Sequence, residues 1–331
     1  MTANPPGLAA PAHGAWRDYL RLARFDHMTK QIFILPGIVL AWLLRGAPEA
    51  AALWAIPLGL GAAVAIASAN YVINEWLDRA FDAHHPEKSQ RAAVQKVLDP
   101  RRVYGLYAAL LLLGLGLAAL ANATLLLLAA LFAVAGLAYN VRPVRAKDRA
   151  YLDVLAESLN NPLRLAIGWA MIDPATLPPV SLLLGFWFGG AFLMNAKRLA
   201  EYRFIVATSG AEVLARYRRS FAVYDERRLS VANMVYALLC SFCMAVFLVK
   251  YRIEYVLLFP FVTALFAEYY RLALLMGSPA RSPEKLFGAR RLMLMSAATA
   301  VVFGLTSVID LPGLERLAEQ HFIDISGRVV E

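Results

Sequence analysis

Residues 61–91 read GAAVAIASANYVINEWLDRAFDAHHPEKSQR, so an apolar run passes directly into a polar segment. Asn74, Asp78 and Asp82 recur every four residues, which on a helix places them on one face over two turns. Mg²⁺ that carries a diphosphate is usually held by one or two carboxylates together with the phosphate oxygens. We therefore predict that Asn74, Asp78 and Asp82 bind Mg²⁺.

Two cations follow this triplet. Lys88 and Arg91 could hold phosphate oxygens through charge-assisted hydrogen bonds. Pro86 is expected to end the helix, which leaves His85 and Lys88 on an irregular segment. Together the residues indicate a site for a diphosphate substrate at a membrane surface.

The composition excludes an ordinary soluble domain, since 60% of the 331 residues are hydrophobic and the mean hydropathy is +0.54. We predict an all-α, polytopic membrane protein with nine transmembrane helices in a single domain, residues 1–331. Residues 1–15 are expected to be disordered and 310–331 to form an extracytoplasmic tail. The apolar runs that could span a bilayer are 31–46, 51–73, 103–120, 122–139, 151–172, 178–196, 231–249, 254–275 and 291–309.

The distribution of Lys and Arg predicts the orientation. With the N-terminus in the cytoplasm and the C-terminus outside, all but five of the 33 basic residues lie on the cytoplasmic side. The net charge of +9 is then explained by membrane orientation and an anionic substrate. No nucleic-acid-binding motif competes with this interpretation.

Polar loops follow the second, fourth and sixth predicted spans, all on the cytoplasmic side. Ionisable groups at membrane depth usually face a cavity, so we predict that these loops form one site. In the basic cluster 142–149, Arg145 and Lys147 are favoured for the site, whereas Arg142 and Arg149 could equally face lipid headgroups.

The fifth predicted span carries further polar groups. Asp153, Glu157 and either Asn160 or Asn161 share a helical face. Arg164 lies about two turns deeper and needs a partner inside the membrane. Glu157 is the nearest candidate by sequence, and a structural ion pair between the two is the alternative to a role in the site.

The loop after the sixth span contains Lys197, Arg198 and Glu201. A simple helix-surface pair between Lys197 and Glu201 is the alternative to a functional role. The later residues Arg216, Arg218 and Arg219 are expected to be solvated or to face headgroups. At the start of the first span, Lys30 either points into the site or reaches the interface.

These segments together resemble the UbiA superfamily of intramembrane prenyltransferases, whose members have nine transmembrane helices around a central cavity. The first signature of that family, Asn-Asp-x-x-Asp-x-x-x-Asp, appears here as Asn74-Glu75-x-x-Asp78-x-x-x-Asp82. The second is normally an aspartate pair that holds a second Mg²⁺. Here it reads Asn195-Ala-Lys197-Arg198-Leu-Ala-Glu201, which makes a second metal and an isoprenyl diphosphate donor less expected.

The cations instead resemble a decaprenyl-phosphate phosphoribosyltransferase-like subgroup of the family. The matching elements are His85-Pro-x-Lys88-x-x-Arg91, Lys197-Arg198-x-x-Glu201, Leu163-Arg164, Lys30-Gln31 and Tyr139. The chain departs from the subgroup at Ala92, where a proline is usual, and at Arg24-Phe-x-x-Met28, where Arg-Pro-x-x-Trp is usual. These differences could reshape the donor pocket.

The resemblance implies transfer of 5-phosphoribose from 5-phosphoribosyl 1-diphosphate to a polyprenyl phosphate. The product, polyprenyl-phosphoryl 5-phosphoribose, would be a precursor of cell-envelope glycans made at the cytoplasmic face of the bacterial inner membrane. Mg²⁺ on Asp78 and Asp82, assisted by Asn74, would offset the charge of the leaving diphosphate. Lys197 and Glu157 complete the expected catalytic set. Substrate contacts are implied for Lys30, Asn74, His85, Lys88, Arg91, Tyr139, Arg145, Lys147, Arg164, Arg198 and Glu201.

Two other functions remain open from the sequence. The first is a prenyltransferase that moves an isoprenyl group onto an aromatic or lipid acceptor, against which the carboxylate-poor second motif argues. The second is a transporter or channel, since several spans with buried charge would serve it equally well. The partners expected are the two substrates and membrane lipids, and a homo-oligomer is possible.

Overall fold

The computed structural model describes residues 13–48, 50–84, 87–281 and 286–317, together with two short strands near the C-terminus. Nearly all of this is helical, and the strands form one antiparallel pair, β1 (Phe322–Ile323) with β2 (Val329–Val330). The α-helices are α1 (Trp16–Leu22), α2 (Leu35–Arg45), α3 (Ala55–Asp82), α4 (Ala92–Gln95), α5 (Pro100–Ala121), α6 (Ala123–Asn140), α7 (Leu152–Ser158), α8 (Asn160–Ala170), α9 (Val180–Ser209), α10 (Glu212–Tyr217), α11 (Glu226–Tyr251), α12 (Phe259–Ala273), α13 (Arg290–Val308) and α14 (Pro312–Leu317).

The helices confirm the predicted class of an all-α membrane protein. Within the described residues, seven are long and apolar enough to cross a bilayer: α3, α5, α6, α9, α11, α12 with the 3₁₀ segment before it, and α13. The first predicted span corresponds to a shorter apolar helix, Gln31–Arg45. The fifth is divided between α7 and α8. Nine crossings therefore stay a prediction.

Local sequence explains several helix ends. Asn122 ends α5 and caps α6, because its side chain accepts a hydrogen bond from the backbone of Leu125 at 2.7 Å. This single residue accounts for the tight hairpin between the two helices. Pro162 lacks the N–H that would continue the hydrogen bonding of α7, so α8 begins as a new helix with proline in its first turn.

The main core lies where α3, α5, α6 and α8 meet, with Ile66, Phe132 and Ile167 almost completely buried. The helices α2 and α8 approach closely at Gly37 and Gly168. A Cβ on Gly37 would lie 2.0 Å from the Leu165 carbonyl oxygen, so only glycine fits there. This packing brings the C-terminal end of α3, the C-terminal half of α9 and the loop after α6 around one hollow.

Candidate active site

A central cavity of about 600 Å³ lies between the C-terminal end of α3, the loop after α6, the helices α7 and α8, and the C-terminal half of α9. Its size falls in the range of small-molecule sites. The side chain of Lys30 and all of His85 lie outside the described residues. The predicted site residues that line the cavity are Asn74, Asp78, Asp82, Lys88, Arg91, Tyr139, Arg145, Lys147, Glu157, Arg164, Lys197, Arg198 and Glu201.

The carboxylates of the first motif point into this cavity and are paired with cations. Arg145 Nη2 lies 3.0 Å and Lys147 Nζ 2.6 Å from Asp78 Oδ1. Arg91 Nη1 lies 2.7 Å from Asp82 Oδ2. The continuous helix α3 places the two carboxylates one turn apart on the same face, as the spacing predicts.

Asn74 lies one turn deeper in the same helix. Its amide donates to Asn140 Oδ1 at 2.5 Å, and Lys147 Nζ donates to the same oxygen at 2.8 Å. Asn140, at the end of α6, thus links Asn74 to the basic loop.

The carboxylates of Asp78 and Asp82 fit Mg²⁺ only as part of a larger set of oxygen ligands. No group of three or more His, Cys, Asp or Glu side chains is close enough to enclose a metal in the described part of the chain. Asp78 and Asp82 could therefore hold Mg²⁺ only if other ligands complete its shell, as phosphate oxygens do for this ion. When bound, Mg²⁺ would act as a Lewis acid on a diphosphate.

The basic loop is held against α3 by the ion pairs of Arg145 and Lys147 with Asp78, and these contacts maintain a strained backbone at Arg145. Arg145 has φ +34°, a left-handed conformation that side chains other than glycine rarely adopt. Its guanidinium bonds Asp148 and the Asn140 carbonyl as well as Asp78. Burial lowers the pKa of Lys147 to about 8, despite the opposing effect of Asp78.

Arg142 and Arg149, for which two roles were open, are exposed and do not line the cavity. The two residues favoured from the sequence, Arg145 and Lys147, do line it.

On the opposite wall, Arg198 lies at the centre of a buried charge cluster. Only 2% of this residue is exposed, and its guanidinium contacts three carboxylates: Asp153 at 3.3 Å, Glu157 at 2.6 Å and Glu201 at 3.0 Å. Because these carboxylates occupy its donors, the geometry favours a positioning role for Arg198, and the substrate contact implied by the resemblance stays a prediction. Tyr139, which donates to Glu157 at 2.8 Å, belongs to the same cluster.

Glu201 also connects the two walls. Lys88 lies 3.5 Å from Glu201 and hydrogen-bonds the Tyr217 hydroxyl, so the segment after α3 is tied to α9 and α10. The first and second motifs, 119 residues apart at Asp82 and Glu201, therefore meet through Lys88.

The ion pair considered for Arg164 and Glu157 is wrong. Arg164 Nε donates to Gln31 Oε1 at 3.1 Å, and its guanidinium lies 5.0 Å from the centre of the Phe132 ring. The helix is interrupted between α7 and α8, and Glu157 is taken by Arg198 and Tyr139.

The expectation that Arg218 faces solvent or headgroups is also wrong. Its side chain lines the cavity, donates to the Tyr139 hydroxyl at 2.5 Å and lies 3.6 Å from Asp153. Sequence reasoning also missed Arg24, Asn140 and Arg281 as lining residues. For Arg24 and Asn140 a signal existed, because Arg24 begins the segment Arg24-Phe-x-x-Met28 and Asn140 directly follows Tyr139.

Comparison with known proteins identifies the family to which the chain belongs. Residues 32–304 match the model of the UbiA prenyltransferase family. A protoheme IX farnesyltransferase from Geobacillus kaustophilus (strain HTA426) is 33% identical over 152 residues, which are 43% of this chain and 47% of that protein. The match thus spans about half the length of this relative.

Solved structures resemble the fold over most of its length. A UbiA homolog from Archaeoglobus fulgidus bound to DMAPP and Mg²⁺ has a TM-score of 0.65 at 23% identity, covering 88% of this chain and all of that one. A structure of digeranylgeranylglyceryl phosphate synthase has a TM-score of 0.59 at 13% identity, covering 88% and 98%. With the family model matching most of the chain, the protein belongs to the UbiA prenyltransferase family and is an integral membrane transferase.

Proposed function

We propose that this enzyme transfers 5-phosphoribose from 5-phosphoribosyl 1-diphosphate to a polyprenyl phosphate. The anomeric C–O bond to the diphosphate breaks, the diphosphate leaves with the electron pair, and an oxygen of the acceptor phosphate forms the new bond to the same carbon. The acceptor is already anionic, so the main task of the site is to hold two anions close together.

The observation that carries this proposal is the charge of the α9 wall. A second Mg²⁺ would need carboxylates there, but Glu201 is neutralised by Arg198 and Lys88. Lys197, Arg218 and further cations line the cavity on that side. Among the described residues, eleven basic and seven acidic side chains line the cavity, an excess of cations that suits substrates with several phosphates.

The pairing of charges suggests how such a substrate enters. Asp78 is held by Arg145 and Lys147, and Asp82 by Arg91. A magnesium diphosphate brings charges of both signs, so Mg²⁺ can take over the carboxylates while the phosphate oxygens take over the released cations. In this exchange no charge is left buried without a partner.

The apolar part of the cavity fits the acceptor. Phe33, Ala67, Phe132, Leu193 and Met194 line the same hollow as the charged groups. They could contact the first isoprene units while the rest of the chain lies in lipid. We place the cavity mouth at the cytoplasmic face of the bacterial inner membrane, with the N-terminus inside and the C-terminus outside, from the distribution of basic residues.

The test uses the purified protein in lipid with labelled 5-phosphoribosyl 1-diphosphate, polyprenyl phosphate and Mg²⁺. A labelled product that partitions into organic solvent is expected, and Asp78→Asn should abolish it. Asp173→Asn is the matched control, because Asp173 pairs with Arg45 outside the cavity and its loss should leave turnover unchanged. Absence of a labelled lipid with the wild-type protein would contradict the proposal.

A second candidate is transfer of an isoprenyl group from an isoprenyl diphosphate, which the similarity to a protoheme IX farnesyltransferase favours. The same preparation supplied with labelled farnesyl diphosphate and an aromatic acceptor distinguishes the two. A prenylated acceptor, without any product from 5-phosphoribosyl 1-diphosphate, would replace the first proposal by this one.

A further inference from the structure

A second hollow, of about 710 Å³, lies outside the central cavity between α1 and the segment 90–96. We refer to it as the α1 depression. Five cations line it, against two carboxylates: Arg17, Arg21, Arg24, Arg91 and Lys96, with Asp18 and Glu75.

Part of this positive charge is not neutralised by the protein. Arg17 and Lys96 are exposed, and neither has a carboxylate within 4 Å in the described part of the chain. The pair of Arg21 with Asp18 is long, at 3.6 Å, and the Arg21 side chain is 74% exposed. An exposed ion pair of this kind contributes little to stability, so Arg21 can exchange Asp18 for another anion with little loss of free energy.

The helix α1 is fixed on one side and apolar on the other. Tyr19 and Leu22 are buried against α3 and the start of α5, and the Tyr19 hydroxyl accepts a hydrogen bond from the backbone of Asp99 at 2.8 Å. On the outer face, Trp16 is 60% and Leu20 40% exposed. Arg17 and Arg21 follow these two residues in sequence and therefore lie on the adjacent face.

This combination is that of a helix lying in a membrane interface, with an apolar face toward the acyl chains and a basic face at headgroup level. We propose that the α1 depression binds the phosphate of an anionic phospholipid headgroup, whose acyl chains pack against Trp16 and Leu20. This inference does not depend on which reaction the central cavity catalyses.

The lipid site also touches the reaction cavity. Arg24 and Arg91 line both hollows, and each lies near Glu75, at 3.6 Å and 3.7 Å. Arg24 also has φ +48°, a strained backbone conformation that the surrounding contacts must maintain. A phosphate bound in the depression would compete with Glu75 for both guanidinium groups.

The test measures retention of phosphatidylglycerol by the detergent-solubilised full-length protein, using native mass spectrometry with phosphatidylcholine as the neutral comparison. Each cation near an anionic headgroup contributes about 1 kcal/mol. Three such contributions correspond to a factor of about a hundred, so the triple variant Arg17→Ala, Arg21→Ala, Lys96→Ala is expected to bind phosphatidylglycerol about a hundredfold more weakly, with phosphatidylcholine unaffected. These side chains are exposed, so the thermal unfolding midpoint in neutral lipid should not change.

The matched control removes three exposed cations elsewhere: Arg101→Ala, Arg216→Ala, Arg227→Ala. An equal loss of phosphatidylglycerol in this control would mean that only total charge matters and would overturn the site. Displacement of phosphatidylglycerol by excess inorganic phosphate would show a site for free phosphate and would overturn the lipid assignment. Retention in the presence of phosphate, lost only in the α1 variant, supports it.

Discussion

Replacing Arg198 by methionine tests the buried charge cluster directly. The side chain is almost completely buried between Asp153, Glu157 and Glu201, with N–O distances of 2.6–3.3 Å. Removing one partner of a buried pair typically costs about 3–5 kcal/mol, because the remaining charge has no compensation.

The structure indicates that the loss of stability in Arg198→Met lies at the lower end of this range. After the substitution Asp153 keeps hydrogen bonds from Ser220 and Tyr224, and Glu201 keeps Lys88 at 3.5 Å. Because these partners still offset part of the charge, we expect a loss of about 3 kcal/mol in the free energy of unfolding.

Arg203→Met on the same helix is the matched control. Arg203 pairs with Glu226 at 2.6 Å, but the two side chains are 30% and 52% exposed, so its loss should cost no more than about 1 kcal/mol. Both variants are unfolded by SDS titration in mixed micelles, followed by tryptophan fluorescence. If Arg198→Met were no less stable than Arg203→Met, the cluster would not stabilise the fold and the reasoning from its buried charges would be refuted.

Three further predictions concern packing, substrate binding and the metal. Gly37→Ala should destabilise the protein by about 1–3 kcal/mol, because the new Cβ would lie 2.0 Å from the Leu165 carbonyl oxygen. Gly116→Ala is the control: a Cβ there would have no neighbouring atom within 4 Å, so the same titration should show almost no change in stability. Arg281 lines the cavity 3.5 Å from Glu87, and we expect its guanidinium to bind a phosphate of the donor. Arg281→Gln should therefore raise KM for 5-phosphoribosyl 1-diphosphate about tenfold or more, while the exposed Arg290→Gln leaves it unchanged; equal KM values would contradict this contact. Chelation with EDTA should abolish transfer and added Mg²⁺ should restore it, and transfer that persists without divalent metal would exclude the role given to Asp78.

The first motif could be predicted from sequence because it depends on a local rule. Asn74, Asp78 and Asp82 belong to one uninterrupted helix, so their spacing alone decides which face they share. Helical breaks are harder to recognise. The apolar run 151–172 is long enough to span a bilayer, but the helix breaks near Pro162, which lacks a backbone N–H. A hydropathy profile does not detect the loss of this hydrogen bond, so it shows one continuous span.

Arg145 and Arg218 show where local reasoning ends. Both are arginines in loops between helices, and both lie in the cavity, yet only Arg145 was predicted there. Arg145 lies five residues beyond α6, so the short connection to α7 keeps it near the end of α3. The position of Arg218 is decided by a reversal at Gly210, with φ +86°, after which α10 folds back and Phe221 and Tyr224 are buried. The partners of Arg218, Tyr139 and Asp153, lie more than 60 residues earlier in the sequence. These contacts depend on how the helices pack, so the spacing of residues within one segment cannot predict them.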